Sequence, residues 1–148
     1  MLDRLTDPVI WQVAIGVALS VLVHEVGHAF IQRCFRLPVH LIEWGRGPRI
    51  VKLGVFEMRL FPFAGAVMPN GSEQTKSRIA GALIAIGGLL AQWIGMIAIG
   101  RLRLVELPWL ETICITYGFC SFISLLVLIP KKGSDGYYLL KSLKRGSK

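Results

Sequence analysis

Three long apolar stretches constrain the fold of this chain more than any other feature. They cover about residues 9–30, 79–100 and 110–129, and each is long enough for a helix to cross a hydrocarbon core of about 30 Å. Of the 148 residues, 53% are hydrophobic and 18% are charged, and the apolar residues fall in long blocks. The sequence therefore predicts an all-α membrane protein with three transmembrane helices, organised as a single domain over residues 1–148.

The first stretch differs from a signal peptide. Asp3 and Asp7 accompany Arg4 ahead of it, and it carries no small-residue cleavage site. We therefore expect it to remain in the mature protein. We also expect no separate soluble regulatory domain in a chain of this length, which predicts a minimal three-span core.

The segment between the first two stretches has strand-like features. Side chains alternate over residues 55–62, which is the period of a strand or short hairpin. Residues 61–69 are apolar but interrupted by proline and glycine, and such irregular backbone enters a membrane only where protein or water shields it. We therefore predict a short re-entrant β-hairpin or loop, with an amphipathic hairpin on the membrane surface as the alternative.

The flanks of this segment predict irregular structure. Residues 33–52 are polar and contain two prolines and two glycines, which favours a loop. Asn70-Gly71 predicts a turn, and Ser72 or Thr75 is a candidate cap for the second long helix.

The basic residues predict the orientation in the membrane. The net charge is +8, and the segment 31–78 carries eight basic residues while the chain after residue 129 carries six. Because basic residues flank apolar spans, the positive-inside rule explains them better than a nucleic-acid surface does, and we expect no nucleic acid. The chain should be a multi-pass protein of a bacterial cytoplasmic membrane, with its N-terminus outside, its C-terminus cytoplasmic, and basic residues near anionic lipid of the bilayer.

The first stretch contains His24-Glu25-Val26-Gly27-His28. On a helix, His24 and His28 share one face, so both imidazoles can reach one ion, and this spacing suits Zn²⁺. Glu25 can then act as general base on a water that the metal activates. The alternative is a pair of core histidines hydrogen-bonded to backbone carbonyls.

A catalytic zinc needs a third protein ligand. Asp135 is the first candidate, because the third stretch returns to the side of the membrane where the first one ends, and Asp135 follows soon after. Glu57 and His40 are competitors on the same side. Asp135-Gly136 can also be explained as a turn or as the N-cap of a final helix.

Two motifs together resemble the site-2 protease family of intramembrane metalloproteases. They are His24-Glu25-Val26-Gly27-His28 in one span and Pro130-x4-Asp135-Gly136 after a later one. Residues 60–67 are similar to the family's re-entrant β-loop, and residues 88–92 resemble its middle-span element. The resemblance covers about residues 9–140 and implies that His24, His28 and Asp135 are zinc ligands and that Glu25 is the general base.

The chain departs from the family pattern at several positions. Val127 stands where the family has an asparagine, and Leu89 and Gln92 stand for its middle-span proline and asparagine. One glycine of the loop motif is Ala64 or Ala66, depending on the alignment. Val127 leaves the metal ligands intact but affects how a substrate would be held.

The resemblance implies a zinc metalloendopeptidase that hydrolyses peptide bonds of transmembrane protein substrates within or near the bilayer, with a regulatory membrane protein as a further partner. We expect the strand around Phe56, Glu57 and Met58 to pair with an extended substrate by edge addition. Gly65 and Gln92, in the two stretches that resemble the family, complete the predicted substrate-binding set.

Two other functions remain open from the sequence. An inactive member of the same fold could bind another membrane protein, which Val127 favours and Glu25 opposes, because a structural zinc site needs no base. A metal transporter or sensor would need polar residues along several spans. The second and third stretches offer few of these, mainly Gln92, Thr116, Ser121 and Ser124.

Overall fold

The computed structural model describes residues 7–69 and 77–144. In these ranges the chain is mostly helical, with an antiparallel two-stranded hairpin between the first and second helices. The elements in chain order are α1 (Pro8–Cys34), β1 (Val39–Leu53), β2 (Phe56–Pro69), α2 (Arg78–Arg101), α3 (Glu111–Ile123) and α4 (Asp135–Lys144). Short 3-10 helices precede and follow α3, at Leu104–Glu106 and Ser124–Leu128.

Three helical segments are long and apolar enough to cross a membrane. They are Pro8–Cys34, Arg78–Arg101 and Glu111–Leu128, within a few residues of the predicted stretches. Local chemistry explains where the first two begin. Asp7 accepts a hydrogen bond from Val9 N ahead of Pro8, and Ser77 accepts one from Ala80 N. The predicted turn at Asn70-Gly71 and the candidate caps Ser72 and Thr75 lie outside the described residues.

The long helices pack through small residues. A Cβ atom on Gly27 of α1 would collide with the carbonyl oxygen of Gly87 on α2, and one on Gly16 would lie 2.7 Å from the Thr116 Cβ of α3. Large apolar side chains are exposed instead, among them Phe30, Ile79, Ile94, Phe119 and Phe122. Buried small residues and exposed large hydrophobic ones are the reverse of the pattern in a water-soluble helical bundle.

The hairpin is longer than predicted and folds back on itself. β1 has 15 residues and β2 has 14. Residues 42–44 pair with 65–67 on one side and with 56–58 on the other, and 56–58 also pair with 51–53. The four segments therefore lie in the order 51–53, 56–58, 42–44, 65–67, with 51–53 and 65–67 at the edges.

The prediction of a loop over residues 33–52 was wrong for most of that segment, because β1 occupies Val39–Leu53. The glycines that suggested a loop instead let the strand bend. Gly45 and Gly47 have φ values of +104° and +87°. A Cβ atom on Gly45 would lie only 2.9 Å from the Arg59 carbonyl oxygen, so a larger residue would obstruct the fold of the hairpin.

One set of contacts stabilises the hairpin internally, and another attaches it to α1. Glu43 and Glu57 are cross-strand partners, and Arg59 lies between them, with its Nη2 atom 3.0 Å from one carboxylate and 2.8 Å from the other. Without that guanidinium, the two like charges would repel each other across the strands. Trp44 of β1 donates a hydrogen bond of 3.0 Å to the Ala18 carbonyl, which attaches the hairpin to the middle of α1.

Candidate metal centre

His24, His28 and Asp135 meet at one point. The His24 Nε2 and His28 Nε2 atoms are 3.0 Å apart, and the Asp135 Oδ2 atom lies 3.1 Å from the first and 3.4 Å from the second. α1 supplies both imidazoles from successive turns, and the first turn of α4 supplies the carboxylate. Among the described residues, this trio is the group of histidine, cysteine and acidic side chains able to hold a metal ion.

Both imidazoles are held in one tautomer by groups behind them. Gln92 of α2 donates from Nε2 to the Ser20 carbonyl at 3.1 Å and to its hydroxyl at 2.7 Å. A carbonyl only accepts, so the Gln92 Oε1 atom must face the His24 Nδ1 atom, 3.1 Å away, which carries the hydrogen. The His28 Nδ1 atom likewise donates to the Ile84 carbonyl at 2.6 Å. Each Nε2 atom therefore presents a lone pair.

The arrangement fits a zinc ion. In these tautomers, two imidazole lone pairs and a carboxylate oxygen converge on one point, where a bound cation would satisfy all three acceptors. Ligand atoms about 2.0–2.1 Å from a tetrahedral zinc lie about 3.3 Å from one another, close to the separations observed here. Two imidazoles and one carboxylate form a ligand set typical of a catalytic zinc, which leaves one position open.

The start of α4 brings Asp135 to the histidines. The Ser134 hydroxyl accepts a hydrogen bond from Tyr137 N at 3.3 Å and so caps this helix, while Asp135 begins its first turn. A Cβ atom on Gly136 would collide with the Leu128 carbonyl, so glycine allows the helix to start this close to the preceding segment. The alternative in which Asp135 is the N-cap of the final helix is therefore wrong, because Ser134 caps α4.

The pKa of the Asp135 carboxyl lies well below its usual range. Burial raises this pKa, but protonated imidazoles at His24 and His28 lower it more strongly. In the ligating tautomer, a bound cation would take the place of those protons. The two competing candidates for the third ligand lie elsewhere. Glu57 pairs with Arg59 at 2.8 Å, and His40 is an exposed residue of β1.

Glu25 lies beside the trio on α1 and is 7% exposed. Gly65 of β2 lies directly against it, because a Cβ atom at that position would collide with the Glu25 Cγ atom and come within 2.8 Å of its carboxylate. The glycine thus lets the edge of the hairpin reach the carboxylate. Gly88 of α2 likewise leaves room for a side chain of the site, since a Cβ atom there would lie 2.6 Å from the His28 Nε2 atom.

A cavity of about 830 Å³ opens beside these residues. α1 lines it with the two histidines, Glu25 and Gln32, and α4 lines it with Asp135 and Tyr138. Residues 63–68 of β2 form another wall, and Val127 belongs to the lining as well. The cavity is mostly apolar with a few converging polar groups, which suits a peptide held next to a metal.

Two of the predicted substrate-binding residues line this cavity and three do not. Gly65 and Gln92 belong to its walls. Gln92 is only 2% exposed, and its carboxamide is already bonded to Ser20 and His24. Its observed partners therefore indicate that it orients His24 rather than binds substrate.

The prediction that Phe56, Glu57 and Met58 form the free edge of a strand was wrong. These residues pair with neighbouring segments on both sides, because the hairpin folds back on itself. Glu57 is also buried against Arg59. Gln32 lines the cavity as well, and it follows His28 at the same four-residue spacing that joins the two histidines.

Replacing Gln92 by leucine should weaken zinc binding by about 10- to 100-fold, because His24 would lose the acceptor that fixes its tautomer. Competition with a fluorescent zinc chelator would measure this loss. Ser121→Ala is a matched control, since it removes another buried hydrogen bond, to the Tyr117 carbonyl, that does not involve the histidines. Equal zinc affinity in wild type and Gln92→Leu would contradict the orienting role.

A comparison with models of known protein families identifies the family of this chain. Residues 12–144 match the model of peptidase family M50. The "Uncharacterized membrane protein YwmF" of Bacillus subtilis is 28% identical over 147 residues, which cover 94% of this chain and 91% of that protein. A "Putative zinc metalloprotease" of Chlamydia pneumoniae is 33% identical over 69 residues, which cover 44% of this chain and 11% of that protein.

Proposed function

The chain belongs to peptidase family M50, which is related to site-2 protease, and on this premise we propose that it is an intramembrane zinc metalloprotease. It would hydrolyse peptide bonds of membrane-protein substrates within or near the bilayer. The observation that carries the proposal is the trio of His24, His28 and Asp135, whose ligand atoms lie 3.0–3.4 Å apart beside the Glu25 carboxylate.

We propose that the three long helices span the membrane and that the hairpin re-enters it. Their exposed large apolar side chains support contact with lipid. The hairpin contacts α1 at Ala18 through Trp44 and at Glu25 through Gly65, both well inside the helix. The distribution of basic residues favours an external N-terminus, with the metal centre toward the cytoplasmic half.

Each residue of the site would have its own role in hydrolysis. Bound zinc would supply a Lewis acid that lowers the pKa of water and polarises a peptide carbonyl. Glu25 would take the proton from the attacking water and deliver it to the leaving amine. Gln92 and the Ile84 carbonyl would hold the histidines in the ligating tautomer, while the apolar walls limit the entry of bulk water.

An extended substrate would add to the free edge of the hairpin. Residues 65–67 pair with 42–44 on one side only, within the ranges that the structure describes. This edge lines the cavity, with Gly65 against Glu25. Main-chain hydrogen bonds to an edge strand would hold a peptide bond extended, in a conformation open to attack.

The first experiment combines zinc analysis with cleavage. The purified protein should contain about one zinc per chain and cleave a single-span test protein in liposomes. Removal of the metal with a chelator should abolish cleavage, and added zinc should restore it. Zinc without cleavage of any of several single-span test proteins would favour the alternative, an inactive member of the fold that binds other membrane proteins, which the apolar Val127 in the cavity wall also favours. Absence of zinc would overturn the proposal.

A further inference from the structure

Gln32 has an unusual environment beside the metal centre. It lies on α1 one helical turn beyond His28 and lines the same cavity. Only 4% of the residue is exposed. Within residues 7–69 and 77–144, its Oε1 atom has no hydrogen-bond partner. Since burial of an unpaired carboxamide oxygen costs free energy of folding, a ligand that supplies a donor to this atom would recover that cost.

The wall of the cavity formed by β2 indicates what that ligand is. Residues 65–67 present an unpaired main-chain edge, where donors and acceptors alternate along a strand. A ligand that satisfies this edge is an extended peptide, whose own N–H and C=O groups alternate in the same way. Such a peptide would lie in the cavity that Gln32 lines.

We propose that Gln32 is a substrate-binding residue whose Oε1 atom accepts a hydrogen bond from a main-chain N–H of the substrate; this inference rests on the proposed proteolytic function. The same carboxamide carries two hydrogens, so it can also donate to the carbonyl of the bound peptide. Gln32 and the edge of the hairpin then hold the substrate from two sides.

The geometry also indicates which part of the substrate Gln32 binds. Four helical residues separate it from His28, which is about 6 Å along α1, or about two residues of extended peptide. β2 runs from Gly65, next to Glu25, toward Pro69, which pairs with Val39 just beyond the end of α1. An antiparallel substrate runs the opposite way, so Gln32 contacts it about two residues on the amino-terminal side of the scissile bond.

Kinetics of Gln32→Leu test the proposal. The KM for the single-span test protein in liposomes should rise about 3- to 10-fold, the effect of one neutral hydrogen bond, with kcat and zinc content unchanged. Thermal stability should be equal or higher, because leucine removes an unpaired buried oxygen. Gln12→Leu is the matched control on the same helix, where the lost bond, to the Trp109 carbonyl, is remote from the cavity. A KM equal to that of the wild type would overturn the inference while the proposed function stands.

A cross-linking experiment tests binding without catalysis. Gln32→Cys is introduced together with Glu25→Gln in a chain whose native cysteines are replaced by alanine, and single cysteines are scanned along the test protein. We expect a disulfide at one short stretch of the substrate, located two to three residues before the cleavage position where cleavage occurs, and none with Gln12→Cys. Cross-linking without cleavage by the wild type would overturn proteolysis but support Gln32 as a binding residue. No cross-link at any position would overturn the inference.

Discussion

Replacing Glu25 by glutamine should abolish measurable cleavage while the protein keeps its zinc. A general base in the transition state contributes about 10²- to 10⁴-fold to the rate, and glutamine cannot accept the proton of the attacking water. The amide has the shape of the carboxylate, so it fits the space that Gly65 leaves on the hairpin. His24, His28 and Asp135 stay unchanged, and the zinc content should therefore remain about one per chain.

The experiment compares cleavage rates of a single-span test protein at saturating substrate, with zinc measured on the same samples. Glu111→Gln is the matched control, because it makes the same change at an exposed position at the start of α3. It should retain wild-type activity. Cleavage by Glu25→Gln at the wild-type rate would remove Glu25 from the mechanism, and loss of zinc from this variant would show that the carboxylate supports the metal site instead.

The features that sequence predicted best are those set by local geometry. His24 and His28 face the same point because a helix repeats every 3.6 residues, and this holds wherever the helix packs. The long helices were predicted to within a few residues because apolar length alone defines them. Asp135 was the first of three candidates for the third ligand, because the chain was expected to return to the same side of the membrane after the third stretch, and the structure brings it to the histidines.

The hairpin was predicted only in part, because its pairing is a tertiary property. Alternation over residues 55–62 indicated a strand, but the pattern does not tell whether one side or both sides of it are paired. Gly45 and Gly47 looked like loop residues, and their positive φ values instead bend β1 so that 42–44 lie between two other segments. The free edge therefore lies at residues 65–67 rather than at 56–58.

The role of Gln92 in orienting His24 could not be predicted from the sequence either. A polar residue in a long apolar helix indicates a function, but the pattern does not tell which group it contacts. The donor to Ser20 and the acceptor for His24 come from the same carboxamide, and both depend on how closely α1 and α2 approach. That approach depends in turn on Gly27 and Gly87.

Replacing Asp135 by alanine should lower zinc affinity by more than about 100-fold, beyond the effect of losing a group that only orients a ligand. The variant keeps two neutral imidazoles but loses the single anionic ligand of the trio. Bound zinc stabilises a folded protein by about 2.7 kcal/mol at a free concentration 100 times the Kd. Added zinc should therefore raise the thermal midpoint of the metal-free wild type and leave that of Asp135→Ala unchanged.

Ser134→Ala separates coordination from the anchoring of α4. It removes the hydroxyl that caps this helix, at a cost of about 1 kcal/mol, but leaves the carboxylate in place. If Asp135 is a zinc ligand, Ser134→Ala should bind zinc with nearly wild-type affinity, whereas Asp135→Ala should not. If both variants lose zinc equally, the start of α4 is only a structural support. Wild-type zinc affinity in Asp135→Ala would exclude the carboxylate from the site, because α1 alone would then hold the ion.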